Sequence, residues 1–310
     1  MEIKQLHALV AIADTGNMTR AAKTLSRVQP ALSRQLSMLE EELGVSLFVR
    51  ERRGMILTDA GKTMVLHARR ALLVLDGARA ELGGSNDEVA GIVTIGLLPS
   101  TSEVLAGPLV TAVAHAHPSI RVRLAMGYAG DLRQWLEDGD IDAAILYGIE
   151  HEPQFQARPL LNEPLWVVGP PSASLNKRRP VPIARLARWP FILPSGPHGV
   201  RTMMDRACAI AQVALDVRVE TNAMSLQKAL VLAGHGFTIL PPISFVSELN
   251  RGTLSGAPLK NPDITRGIVL AVSAHRAISR PVRSTIDLLV QSAHKAVRAG
   301  AWPYAQWIDQ

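Results

Sequence analysis

The sequence predicts an α/β protein of several domains: a small helical region with a basic hairpin, a long single helix, and a two-lobed α/β region. Three observations carry this. Apolar residues recur at helical spacing through roughly the first 45 residues, an unbroken helical run follows from residue 59, and from Gly91 onward short β-rich runs alternate with helical ones. At 310 residues the chain exceeds what one core usually holds, and with 47% hydrophobic and 19% charged residues it has apolar surface enough for packed cores.

The first run, "EIKQLHALVAIADTG", puts Leu6, Leu9, Val10 and Ala13 on one helical face and stops at Gly16. Asn17 stands where an N-cap is wanted, before "MTRAAKTL", whose small Ala21 and Ala22 let another helix approach closely. In a third helix Leu32, Leu36, Leu39 and Leu43 fall within about 60° of arc, opposite a face of Pro30, Ser33, Arg34 and Ser37 with Gln29 at its leading edge. "SLFV" and "MILT" then flank "RERRG", a hairpin with Arg50, Arg52 and Arg53 at or near its tip. Three helices followed by a basic hairpin make the winged helix-turn-helix plan. Physically this is a helix start sized for a DNA major groove and a cationic wing for the flanking backbone or minor groove.

Thr58 and Asp59 cap a helix running to about Leu82, a rod of roughly 36 Å. Its Met64, Val65, Ala68, Leu72, Leu75 and Leu82 predict an apolar seam for a partner helix, hence a linker that also dimerises. Beyond it come "IVTIGLL", a helix after Pro99, "IRVRLAM", a helix from Asp131, "IDAAILY", "LWVVGP" and "PFILP". A helix after His198, "DVRVE", a helix ending at Gly234, "FTILP", and "GIVLAVS" before a final helix complete the order. In such folds ligands bind at the C-terminal ends of strands beside helix starts. That directs attention to Leu98 to Ser102, Gly127 to Gly130, Pro194 to Arg201 and Leu240 to Ser244.

Net charge of +6 permits a polyanionic partner, but residues 1–58 hold eight Lys/Arg against six acids, so charge alone does not locate a DNA surface. Cys208 is the only cysteine, which excludes an internal disulfide and a thiolate zinc site; it reads as a small buried residue on a helix. The N-terminus has no secretory signature, and the most apolar stretch, Ala229 to Val246, is broken by His235, two glycines and a Pro-Pro pair, so a cytoplasmic, non-membrane protein is expected. No GxSxG elbow, P-loop, strand-following GxGxxG or metal-ligand spacing among the nine histidines is present, so no enzyme, metal or cofactor is expected.

The segment "AAKTLSRVQPALSRQLSMLEEELGVSLFVRERRGMILTDAG" (21–61) resembles the N-terminal signature of the LysR-type transcriptional regulators nearly position for position. The order of helix, wing, linker and two-lobed region extends the resemblance over essentially the whole chain. "LPSGPHGVRTMMD", "LVLAGHGFTILP", "LNRGTLSGAPLKNP" and "VRAGAW" resemble the branch around the nitrogen assimilation control protein. The resemblance implies a DNA-binding domain at 1–58, a linker helix at 59–90 and an effector domain, similar to periplasmic binding proteins, at 91–310. Its lobe I would take about 91–163 and 265–310, and its lobe II about 164–264. It also implies a homodimer or homotetramer on a double-stranded DNA operator, activation of target genes, often repression of the regulator's own gene, and RNA polymerase as a further partner. One position departs: Val28 stands where the family commonly has Ser or Thr as N-cap of the recognition helix, leaving Ser26 or a DNA phosphate to cover the free N–H groups.

Gln29, Pro30, Ser33 and Arg34 are the expected major-groove residues, Gln and Arg being able to make bidentate base contacts. Arg50, Arg52 and Arg53 are expected on backbone or minor groove, and Glu40, Glu41 and Glu42 as a solvated helix end. Ser100, Thr101 and Ser102 begin a helix at a strand end, where hydroxyls and free N–H groups converge on an anion. Tyr128, His198 and Arg201, in facing loops, would complete a site for a small effector, a carboxylate or another polar ligand. Asp140 and Asp142 read as a turn and strand start, and Lys177, Arg178, Arg179, Arg185 and Arg188 as a solvated loop. The rival readings are a ligand-independent DNA-binding factor whose C-terminal region only oligomerises, and a solute-binding protein or enzyme with a DNA-binding-like appendage.

Overall fold

A computed structural model describes residues 1–51, 54–82, 89–149 and 152–309, with backbone alone at 50, 70, 73 and 76–82. The chain forms two compact units, the first built mainly from Met1–Asp87 and the second from Glu88–Glu137, Ile141–His275 and Pro281–Gln310.

In the first unit α1 (Ile3–Thr15) ends at Gly16, whose φ of 60° lets its N–H reach back to the Ile12 carbonyl. α2 (Met18–Thr24) is capped as expected, the Asn17 side chain accepting from the N–H of Thr19 and Arg20. α3 (Gln29–Leu43) starts at Val28 without a side-chain cap. Val28 is 69% exposed, and the Ser26 hydroxyl makes no hydrogen bond to the helix among the described residues, so its first N–H groups face outward unpaired by a cap. β1 (Phe48–Glu51) and β2 (Gly54–Leu57) pair antiparallel as the wing. α4 (Asp59–Leu82) follows, Thr58 accepting from the Gly61 N–H at 2.9 Å while donating to the Ser46 carbonyl at 2.8 Å. A Cβ on Gly61 would lie 2.0 Å from the Leu47 oxygen, so this crossing requires glycine.

Leu6, Leu9, Ile12, Ala21, Ala22, Leu32, Leu36, Leu39 and Leu47 form the core of this unit. One expectation is corrected. Leu43 is 39% exposed, because it lies in the last turn of α3, beyond the neighbouring helices. The seam of α4 is largely spent on its own unit: Val65, Ala68 and Leu72 are buried in the same core, with Met64 packed against it, and Arg69 pairs with Asp14 at 2.5 Å. Helical periodicity identifies an apolar face but not its partner. Leu75 is half-buried, and the Leu82 side chain is outside the described residues.

The second unit runs β3 (Gly91–Leu97), α5 (Pro99–Ala116), β4 (Ile120–Met126), α6 (Ala129–Asp138), β5 (Ala143–Tyr147), β6 (Phe155–Pro164), β7 (Trp166–Gly169), β8 (Val181–Pro182) and β9 (Pro190–Leu193). It continues with α7 (Gly199–Ile210), β10 (Asp216–Glu220), α8 (Met224–Leu232), β11 (Thr238–Leu240), α9 (Val246–Arg251), β12 (Ser255–Lys260), β13 (Thr265–Ser273), α10 (Arg280–Arg298) and β14 (Gln306–Trp307). One sheet has the order β14-β6-β13-β5-β3-β4, parallel among β5, β3 and β4 and antiparallel elsewhere. A second has the order β11-β7-β12-β8, and the parallel pair β10-β9 joins it through a bridge between Phe191 and Phe237. The chain passes between the sheets twice, at β6 to β7 and at β12 to β13, where the Leu165 N–H meets the Ile264 carbonyl at 2.8 Å.

The expected strands and helices of the alternating region are present. Absent from the sequence reading are β6, β8, α9, β12 and β14. Long β6 is exposed over 156–159 and buried at Leu160 and Leu161, without alternation, β12 carries Gly256 and Pro258, and the others are short, so none shows a clean period.

Candidate functional sites: a helix face and a cleft

On α3, Gln29, Pro30 and Arg34 are exposed and Ser33 is half-buried, while Leu32, Leu36 and Leu39 on the other side are in the core. Packing therefore fixes which side of the helix is free. The Thr19 hydroxyl donates to Gln29 Oε1 at 3.2 Å, linking α2 to the first turn of α3. Arg34 makes no ion pair among the described residues, so its guanidinium is uncommitted. Glu40 is more than a solvated helix end: its Oε1 accepts from the N–H groups of Leu47 and Phe48 at 2.7 and 3.2 Å and so anchors the first wing strand to α3. Glu42 binds the N-terminal ammonium at 2.6 Å. Arg52 and Arg53 lie outside the described residues, and of Arg50 only the backbone is described.

In the second unit a cleft opens where strand ends meet helix starts. Leu98 to Ser100 enter it from the start of α5, Tyr128 from the turn before α6, Tyr147 from the end of β5, and His198 and Val200 from the start of α7. Asn222, Met224 and Gln227 come from around the start of α8, Leu240 and Pro241 from the end of β11, and Arg266 from β13. The walls are mostly apolar, and α5, α7 and α8 all begin without a side-chain cap or an acid in the first turn. The partial positive charge of these helix starts lies at the cleft.

Arg266 is the charged centre of the wall. It is 4% exposed; its Nε and Nη2 lie 2.7 and 2.6 Å from Glu163 Oε1, and Nη2 donates to the Ser100 hydroxyl at 2.7 Å. Glu163, fully buried, takes the Trp302 indole N–H on its other oxygen at 2.9 Å. Each buried charge is thereby paired and hydrogen-bonded, the condition for tolerating one in a core. The guanidinium carbon is 4.9 Å from the centre of the Tyr147 ring, and burial pushes the Tyr147 hydroxyl pKa up. A Cβ on Gly199 would lie 2.3 Å from that ring, so glycine at the start of α7 makes room for it.

His198 stacks edge-on against Tyr128 with ring centres 5.4 Å apart, and the Tyr128 hydroxyl accepts from the Met224 N–H at 3.4 Å. Burial, reinforced by the Arg266 charge, holds the His198 pKa below its ordinary value, so the imidazole is neutral at neutral pH. Its Nδ1 is buried without a hydrogen-bond partner among the described residues.

Of the six residues expected at an effector site, Ser100, Tyr128 and His198 line the cleft. Thr101 and Ser102 instead turn back on α5, donating to the carbonyls of Leu98 and Pro99 at 3.1 and 3.0 Å. Arg201 points away into Asp205, Glu220 and the Pro194 carbonyl, and the hydrogen bond to Glu220 does most to raise its pKa. Both outcomes follow from helix geometry: successive residues diverge by 100°, so a helix start offers a cleft one or two side chains. Arg266, Glu163, Tyr147, Asn222 and Gln227 were missed. The signal for the pair was a lone acid and a lone arginine, each beside an apolar run, 103 residues apart.

Cys208 is buried on α7, and burial followed by the Asp205 charge raises its thiol pKa, which suppresses the reactive thiolate. Among the described residues, no helix is long and apolar enough to cross a membrane and no His, Cys, Asp or Glu cluster is arranged to hold a metal.

Residues 3–62 match the family described as bacterial regulatory helix-turn-helix protein, lysR family, and residues 86–294 match the LysR substrate binding domain. The chain is 30% identical over 292 residues to the HTH-type transcriptional regulator BbuR of Bordetella bronchiseptica, covering 94% of this chain and 90% of that protein. It is 28% identical to the nitrogen assimilation regulatory protein nac of Klebsiella aerogenes, covering 94% of each. Among solved structures, full-length BenM aligns at 26% identity and a TM-score of 0.56, covering 98% of this chain and 99% of that one. A full-length OxyR variant of Pseudomonas aeruginosa shares the fold with a TM-score of 0.74 at 24% identity, covering 94% and 97%. The helix-turn-helix with its wing, the two-sheet second unit and these matches together place the chain in the LysR family: it is a LysR-type transcriptional regulator, not an enzyme, with an N-terminal DNA-binding domain and a C-terminal effector-binding domain.

Proposed function

We propose that the regulator reads its operator with Gln29, Pro30, Ser33 and Arg34 in the major groove, with Arg50, Arg52 and Arg53 of the wing on the flanking backbone or minor groove. Effector control resides in the cleft, which takes a small carboxylate. The observation that supports this most is the buried Arg266 in the cleft wall, held by Glu163 and Ser100 among three uncapped helix starts. A carboxylate placed there meets a fixed cation, a hydroxyl and the positive ends of helices in an apolar enclosure where such contacts are strong. Tyr128 and the neutral His198 would close over its body. A uncommitted Nδ1 on His198 supplies one further polar contact.

The protein acts in the cytoplasm, where its operator is, as a homodimer or homotetramer whose paired domains meet paired half-sites. Effector binding changes the spacing or bend of those contacts, and productive geometry engages RNA polymerase. The domain limits we assign are 1–58, 59–90 and 91–310, with the lobes exchanging near 164 and 264.

Thermal unfolding of the full chain against a panel of small metabolites tests the effector reading. A specific carboxylate at 100 times its Kd adds about 2.7 kcal/mol to the stability of the domain that binds it. No stabilisation by any member of a broad panel would favour a regulator controlled by its own abundance, with the C-terminal region serving only to oligomerise.

A further inference from the structure

Some cations of the second unit are matched: Arg201 with Asp205 and Glu220, Arg218 with Asp216, Lys228 with Glu248, and Arg266 with Glu163. One segment concentrates cations with no acid of its own. Residues 164–204 contain no Asp or Glu, and within them Lys177, Arg178, Arg179, Arg185 and Arg188 are all exposed and in no ion pair among the described residues. Their five charges nearly account for the net +6 of the chain and exceed the +2 of residues 1–58.

The segment is also ordered locally, unlike a floppy basic tail. Lys177, Arg178 and Arg179 sit in a turn closed by the Arg179 N–H on the Asn176 carbonyl and the Arg178 N–H on the Asn176 side chain. Arg185 and Arg188 lie three residues apart on the 3-10 helix Ile183–Arg188, whose three-residue repeat puts them on one edge. That helix is pinned by buried Ile183 and Leu186, and the Arg185 guanidinium lies 5.7 Å from the centre of the Trp189 ring, itself stacked on Phe237 at 4.4 Å. Concentrated like charge without counter-ions costs self-repulsion, which a bound polyanion removes.

We propose that this face binds DNA phosphates outside the half-sites read by α3, so that the effector-binding domain itself holds the DNA backbone. DNA is the polyanion to which the protein is already tethered by its N-terminal domain, and that tethering raises its local concentration at any second cationic surface on the same molecule. Four of the five cations are arginines, whose planar guanidinium matches phosphate oxygens in pairs. The contact is sequence-independent, which suits a role in holding or bending flanking DNA.

The test compares the full-length protein with a variant carrying Lys177→Gln, Arg178→Gln, Arg179→Gln, Arg185→Gln and Arg188→Gln on two duplexes. One is a genomic operator trimmed to its half-sites, the other the same operator with random-sequence flanks. The dependence of log K on log salt loses about 0.9 per phosphate contact removed. For the native protein it is steeper on the flanked duplex than on the trimmed one. In the variant the two slopes coincide, and the flanked slope is shallower than native by about 2 to 4. A second variant with all four arginines changed to lysine keeps the native difference, showing that charge is what matters, while unchanged thermal unfolding of both variants shows that the fold is intact. Native and variant slopes that agree on both duplexes would overturn the proposal. So would a variant with unaltered DNA binding and lost transcription activation, which would assign the face to an acidic protein.

Discussion

The face of α3 proposed to meet DNA takes its residues from six neighbouring positions, Gln29 to Arg34, whereas the cleft joins Ser100 to Arg266 across 166 residues. The first is a free surface left over when the apolar side of a helix is packed away. Its side chains are exposed and largely uncommitted, so changing them alters recognition and barely touches the fold. The second is assembled inside the protein, and its key charge is held by a fully buried carboxylate, which an indole N–H holds in turn. There, recognition and stability share the same atoms, and a change to one is a change to the other.

The sharpest way to break this contrast is Arg266→Met. It leaves Glu163 buried and unpaired, and denaturant unfolding should show a loss of about 3–5 kcal/mol in the effector-binding domain with the affinity of the DNA-binding domain for DNA unchanged. Adding Glu163→Gln removes the stranded charge and should recover most of that loss while leaving carboxylate binding abolished. If the single and double variants are equally stable, the pair does not organise the cleft.

Val28→Ser tests the other surface. Supplying the missing cap at α3 should stabilise the DNA-binding domain by about 1 kcal/mol, read as a rise in its unfolding midpoint. No gain would mean that neighbouring groups already serve the first N–H groups of α3. Arg201→Ala should cost under about 1 kcal/mol, since its ion pairs face solvent, and should leave carboxylate affinity as it was. A large affinity loss measured by calorimetry would return Arg201 to the site.

The smallest effect is one of pH. The folded His198 pKa lies below its unfolded value, so the unfolded chain binds more protons as the solution is acidified. This contribution is complete above the ordinary histidine range and declines as pH falls through it. Unfolding midpoints of the native protein should therefore fall more steeply toward acid than those of His198→Gln. Parallel curves would place the imidazole in solvent.

How far the sequence could be read follows the same division. The three helices, the cap of α2 at Asn17, the cap of α4 at Thr58 and the wing depend on neighbours within a few residues, and periodicity exposes them. The partner of the α4 seam was not legible, because Val65, Ala68 and Leu72 fit a core of the same chain as well as a second helix. In the effector-binding domain the loops at strand ends pointed to Ser100, Tyr128 and His198. Arg266 and Glu163 stayed hidden because their pairing depends on the register of β6 against β13, which no local pattern encodes. Thr101, Ser102 and Arg201 were close in sequence to the cleft yet turned from it by the helical repeat.

Arg34→Ala measured on an operator and on random duplex tests most directly whether the exposed side of α3 reads base sequence. The variant should lose about 1–3 kcal/mol of binding free energy on the operator and far less on random DNA. An equal loss on both would reduce Arg34 to a phosphate contact and contradict the assignment of α3 as the surface that specifies the operator.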